Sequence, residues 1–167
     1  SFAAEFIEIS DYKMLVNMIK QLGFDYVMDV SFGADLVACE YNKIYNNKKI
    51  PRSISTDCPA IGFYVRHYYP ELVDILAPLV SPMVATVRVA KKLYGEDIQT
   101  VFIGPCIAKK AESSEVDIVL TFKELRNLFK QYNLKAEELK KSDFDGPIGN
   151  KSSLFPINRG KLHAVGR

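Results

Sequence analysis

The chain has 167 residues, 48% hydrophobic and 25% charged, with a formal net charge of +2. That is the balance of a folded globular chain, and it argues against a disordered segment, a nucleic-acid partner and a membrane span. No window approaches the roughly 18 apolar residues needed to cross a bilayer. The opening SFAAEFIEIS has no basic start of a secretory leader, so a cytoplasmic location is expected. The length suits one ordinary domain or two lobes that need each other.

SFAAEF reads as a strand already in progress, and the chain stops at LHAVGR after a possible strand or turn, the pattern expected of a piece of a longer protein. From Ser10 a helical stripe of Met14, Leu15, Met18, Ile19 and Leu22 follows, with Ser10 as N-cap and Gly23 as stop. FDYVMDV, 24 to 30, alternates as a strand would. A second helix is predicted from about Ala34 to Tyr45 with Val37, Tyr41, Ile44 and Tyr45 on one face, followed by a solvated NNKK loop.

Arg52 to Thr56 reads as a short strand, and Pro59 suits the first turn of a helix whose buried face is Ile61, Tyr64, Val65 and Tyr68. Pro70 ends or kinks it. Ser81 and Pro82 begin the next helix, with Met83, Val87, Ala90 and Tyr94 in line and Gly95 closing it. IQTVFIG is an apolar run suited to a strand covered on both sides, and VDIVLT is similar. Thr121 and Glu124 form a capping box for a helix carrying Leu125, Leu128, Phe129 and Tyr132. Lys140 to Arg167 has no clear element and is expected to belong to a surface that other parts of the chain should cover. Strands alternating with helices imply an α/β fold with a parallel sheet flanked by helices, with a possible seam between two lobes near residues 78 to 82.

The chemistry lies in the cysteines. Cys39, Cys58 and Cys106 are too few for a disulfide framework and one short of a closed four-thiolate site, so any metal site in this chain is incomplete. Cys58 and Cys106 each sit beside a proline where a strand ends and a helix begins, the place where backbone N–H groups converge on ligands in parallel sheets. Lys109 and Lys110 follow Cys106, and a positive field favours thiolate over thiol. Two soft thiolates without a nearby histidine favour an iron–sulfur cluster over calcium or magnesium. The competing reading is that each thiol is a small buried hydrophobe, and for Cys39, inside the second helix, packing or plain exposure is the expectation. His67 is expected on a helix surface, His163 carries no information, and the tyrosines at 64, 68, 69 and 94 are expected in the core or at its rim.

These motifs resemble the iron-only hydrogenase large subunit, in the domain that holds the active-site cluster. FDYVMDVSFGADL resembles that family's stretch ending Phe-Gly-Ala-Asp-Leu, and ISTDCPA its Ile-Thr-Ser-Cys-Cys-Pro. YYPEL, SPM, PCIAKKAE and VDIVLTFKEL resemble successive later blocks. The resemblance implies that Cys58 and Cys106 are the first two of four cysteines holding a 4Fe-4S cluster. The other two belong to a Cys-x-x-x-Cys block that this chain does not reach. One of the four bridges to a two-iron centre carrying carbonyl and cyanide. Lys109 matches a lysine that hydrogen-bonds a cyanide of that centre, and Glu112 a glutamate of the same loop.

Departures stand beside the matches. The family's proton-donating cysteine aligns with Asp57, which could act as a substitute carrier, and two relay glutamates align with Tyr41 and Ile44. Gly104 replaces a methionine that packs against the two-iron centre, leaving space. The tail SLFPINRGKLHAVGR keeps one glycine where catalytic members have a pair. The readings are therefore a hydrogenase-class domain with an altered proton relay and a hydrogenase-like redox or hydrogen sensing module that holds a 4Fe-4S cluster without turnover. A metal-free α/β domain would require both cysteines to be coincidental. The resemblance implies a ferredoxin-type electron carrier or appended signalling domains as partners, and the chain alone is expected to be metal-free and inactive.

Overall fold

The computed structural model describes residues 2–46, 52–136 and 140–150, with 160 and 164. The sequence-predicted features on NNKK, His163 and most of the terminal tail lie outside the described residues. The opening SFAAEF is helical rather than extended: α1 spans Phe2–Glu5, and Phe6 N–H donates to the Phe2 carbonyl at 2.9 Å. α2, Tyr12–Gln21, is capped by Asp11 instead of Ser10, because the Asp11 carboxylate accepts from the Lys13 N–H at 2.9 Å. Gly23 takes φ +100° directly after it, a left-handed stop that a side chain would strain.

Residues 24–30 do not form a strand among the described residues. Their backbone is claimed by a loop instead. Asp145 Oδ2 accepts from the Val27 N–H at 2.8 Å, and the Asp145 N–H donates to the Val27 carbonyl at 2.8 Å. Lys20 holds the same carboxylate at 2.9 Å, so residues 140–150, which offered no pattern in sequence, are tied to α2 and to this segment.

α3, Ser31–Asn46, starts three residues before the predicted Ala34 because Asp29 accepts from both the N–H and the hydroxyl of Ser31, at 3.2 and 2.6 Å. It crosses α5, Pro82–Tyr94, at very close range: a Cβ on Gly33 would lie 2.1 Å from Thr86 Oγ1 and 2.6 Å from the Pro82 carbonyl oxygen. Ser81, Pro82 and Gly95 begin and end α5 as their positions predict. In chain order α4, Pro59–Tyr68, comes between these two helices and is followed by a 3₁₀ segment, Pro70–Ile75. The predicted inner face of α4 is largely reversed. Pro59, Gly62 and Val65 are buried, while Ile61, Tyr64 and Tyr68 are 45%, 50% and 64% exposed. The tyrosines pack on one another instead of on the core, with Tyr64 centred 5.0 Å from Tyr68 and 5.6 Å from Tyr69.

Two parallel strands complete the described α/β fold, β1 (Val101–Gly104) and β2 (Ile118–Thr121), paired from Val101 with Ile118 to Gly104 with Thr121. Residues 52–56 contribute a single parallel bridge, Ile54 to Leu76, rather than a strand. α6, Phe122–Gln131, leaves β2 through the expected capping box, Thr121 and Glu124 each accepting from the other's backbone N–H. Its Phe122, Leu125 and Phe129 meet Phe6, Leu15 and Met18 in one core. A second core joins Val37, Ala38 and Tyr41 of α3 to Ala77 and Ala85, and a third joins Met83, Val84 and Val87 to Val116.

Candidate functional site

The Ile54 bridge sets the approach to Cys58. Ile54 N–H donates to the Ile75 carbonyl at 2.7 Å, and Ala77 N–H donates to the Ile54 carbonyl at 2.8 Å. Thr56 Oγ1 then donates to the carbonyls of Ala77 and Leu79, both at 2.9 Å. With no strand to continue, the chain turns through Asp57 into the N-cap of α4, which is Cys58 itself (φ −99°, ψ 109°), ahead of Pro59 at the first helical position.

Cys106 has nearly the same backbone shape. At φ −101°, ψ 118° it is the N-cap of a short 3₁₀ helix, Ile107–Ala111, in the crossover between β1 and β2. Neither thiol is buried: Cys58 is exposed and Cys106 partly so. An exposed or half-exposed cysteine at a helical N-terminus is not the small core hydrophobe of the competing reading. Cys39 is exposed on α3, as one of its two expectations had it.

Lys109 joins the two segments. Its Nζ donates to the Asp57 carbonyl at 3.0 Å and to Glu112 Oε2 at 2.5 Å, with both side chains of the ion pair less than one-sixth exposed. Since Lys109 N–H also donates to the Cys106 carbonyl at 3.3 Å, one residue carries contacts to the segment of each cysteine. Lys109 therefore links the segment of Asp57 and Cys58 to the segment of Cys106 and Glu112. An ammonium has three donors, and two of these serve Asp57 and Glu112. Lys110 faces elsewhere and pairs with Glu124 at 2.5 Å, so only the first lysine of the pair attends the Cys58 segment.

The departures also have definite places. The Asp57 carboxylate accepts from Ser55 Oγ at 2.7 Å. Tyr41 is fully buried, and Ile44 packs against the same core. At Gly104 the expected space is taken up: a Cβ there would lie 2.7 Å from the ring of Phe102, which folds over the glycine. His67 is exposed, edge-on to Tyr68, as expected of a surface residue. Ser55 and Thr56 are the residues that sequence reasoning passed over; the polar run Ser-Thr-Asp immediately before Cys-Pro was the signal available.

The sequence profile described as the iron only hydrogenase large subunit, C-terminal domain, matches residues 2–167. The chain belongs to that family. It is 30% identical over 83% of its length to the NADP-reducing hydrogenase subunit HndD of Solidesulfovibrio fructosivorans, and 29% identical over 88% of its length to iron hydrogenase 1 of Clostridium pasteurianum. It is also 30% identical, over 75% of its length, to the cytosolic Fe-S cluster assembly factor NAR1 of Candida dubliniensis. The chain spans 28%, 30% and 26% of the length of these three relatives. Among solved structures, the FeFe-hydrogenase HydA1 of Chlamydomonas reinhardtii superposes with a TM-score of 0.73 at 27% identity, covering 83% of this chain and 40% of that one.

Two cysteines begin helical turns on segments that Lys109 links, and soft thiolates are the ligand class of iron–sulfur clusters, so the donor type suits such a cluster. Among the described residues no group of three or more His, Cys, Asp or Glu comes together to hold a metal ion. No helix among them is long and apolar enough to cross a membrane.

Proposed function

We propose that this domain supplies one side of the cage of a 4Fe-4S cluster, with Cys58 and Cys106 as ligands, in a cytoplasmic hydrogenase-family protein. The observation that supports this most is the bridge made by Lys109 between the Asp57 carbonyl and the Cys106 loop. A cluster, when bound, supplies one-electron storage. The chain's own residues do the rest. The two thiolates ligate, and Lys109 directs its remaining donor at an anionic group such as a ligand of a two-iron centre, held in place by Glu112. Asp57 keeps a carboxylate next to Cys58 where a proton can be taken up or released, and its backbone and side chain are both anchored. The remaining two ligands come from further chain, and a ferredoxin-type carrier or an appended signalling domain receives the electron.

A second reading, a cluster-holding module without hydrogen turnover, is favoured by Tyr41 and Ile44. The pair of positions expected to carry relay glutamates is built into an apolar core. The similarity to an Fe-S assembly factor at the same identity as to a hydrogenase subunit supports it as well. Anaerobic reconstitution of the complete protein, matured with the two-iron centre and assayed for hydrogen uptake and evolution, separates the two. Turnover supports the hydrogenase reading; a stable cluster without turnover supports the module. Loss of the cluster's visible absorption in Cys58→Ala is required by both, and an unchanged spectrum would end both. The isolated chain, with two ligands of four, is expected to hold no stoichiometric iron and sulfide.

A further inference from the structure

The described structure contains a hydrogen-bonded array that the ligand assignment does not use. Tyr41, wholly buried on α3, places its hydroxyl 3.0 Å from the Thr56 N–H, 3.2 Å from Ser55 Oγ and 3.4 Å from Thr56 Oγ1. The Thr56 N–H donates to the tyrosine oxygen. The Thr56 hydroxyl proton is committed to the carbonyls of Ala77 and Leu79, and the Ser55 hydroxyl proton to Asp57 Oδ2 at 2.7 Å. The Tyr41 hydroxyl lies within hydrogen-bond distance of Ser55 Oγ, and Ser55 Oγ donates to Asp57 Oδ2, so Tyr41, Ser55 and Asp57 are linked in one array.

We propose that Tyr41 is a positioning residue for Cys58 and Asp57: its hydroxyl, through Ser55, fixes the residues between the Ile54 bridge and Pro59. Everything downstream depends on that segment's path. Asp57 must present its carbonyl to Lys109, and Cys58 must start α4 in an extended conformation. Without the tyrosine oxygen, the Thr56 N–H loses its acceptor and Ser55 loses a hydrogen-bond partner. The side chain that stands where the resemblance places a relay acid thus becomes a tether of the cysteine-bearing segment. The inference holds for the metal-free chain and stands on these hydrogen bonds, whereas its use in positioning a cluster ligand rests on the reading proposed above.

The test is residue-resolved amide hydrogen exchange on the metal-free chain. Tyr41→Phe keeps the ring in the core and removes one oxygen; Ser55→Ala removes the relay atom at a half-buried position. Each is expected to speed exchange at Thr56, whose N–H donates to the tyrosine oxygen, about fivefold, the opening expected for one lost hydrogen bond, while exchange along α6 stays at the parent rate. The double variant is expected to add little to either single, because both act on one array. Ser55→Thr, which keeps the hydroxyl, is expected to restore the parent rate. Unchanged exchange at Thr56 in Tyr41→Phe, equal acceleration along α6, full additivity of the two losses, or no rescue by threonine would each overturn the proposal. Failure of Cys58→Ala to abolish cluster absorption would instead overturn the ligand assignment and leave this result standing.

Discussion

The α6 region and the cysteine region are built on opposite principles. Around α6, Phe122, Leu125 and Phe129 are buried against Phe6, Leu15 and Met18, and the N-terminus closes on itself through a reciprocal cap. Around Cys58 and Cys106, two helical N-termini begin on cysteines that make no side-chain cap, and the thiols remain open to solvent. One region satisfies its groups internally. The other holds its backbone rigidly, through the Ile54 bridge, Thr56 and Lys109, yet leaves its sulfur atoms available. Such an arrangement directs stability to the scaffold and reactivity to the site, so mutations in the two regions should have separable effects.

The largest effect on stability is expected from Leu125→Ala, 1% exposed in the first core, at about 2–5 kcal/mol by chemical denaturation. Gly33→Ala should follow at about 1–3 kcal/mol, since its Cβ would collide with Thr86 Oγ1 and the Pro82 carbonyl and force α3 away from α5. Thr121→Ala should cost about 1 kcal/mol by loss of the cap. Cys58→Ala and Cys106→Ala should lie within about 0.5 kcal/mol of the parent, because no packing or cap is lost. A core-sized loss at either cysteine would break the contrast between the regions.

A smaller effect sharpens it. Glu124 is held at about 2, from an ordinary 4.5, first by the Lys110 ammonium and then by the Thr121 N–H and hydroxyl. Because the folded value is depressed, the ionised cap stabilises α6 fully above about 4.5 and loses its contribution as the pH falls toward about 2. Acid titration should therefore weaken α6 over that window, and Glu124→Gln should remove that component of the pH dependence. An unchanged acid profile in Glu124→Gln would show that Lys110 and Thr121 do not hold this carboxylate.

The parts legible in sequence were those governed by local chemistry. The capping box at Thr121 and Glu124, the proline starts of α4 and α5, and the cysteine N-caps depend on residues close in sequence, and all appear in the structure. Long-range competition decided the rest. Residues 24–30 had the alternation of a strand, but Asp145, more than a hundred residues away, took the N–H and carbonyl of Val27 at its centre. The tyrosine stripe of α4 had helical spacing suited to burial, but Gly62 and Val65 face inward, and spacing alone does not choose between faces. At the site, the residue types of Cys58, Cys106, Lys109 and Glu112 were readable. The hydrogen bonds by which Lys109 joins their segments were not, because they require Asp57 to be placed by Thr56 and the Ile54 bridge.

The most direct test of the account is whether the two cysteines face a common space. Treatment of the metal-free chain with a short-arm bifunctional thiol reagent, followed by peptide mapping, should join Cys58 to Cys106 within one molecule, while Cys39 is modified singly. A map in which Cys58 and Cys106 are each capped but never joined would contradict it.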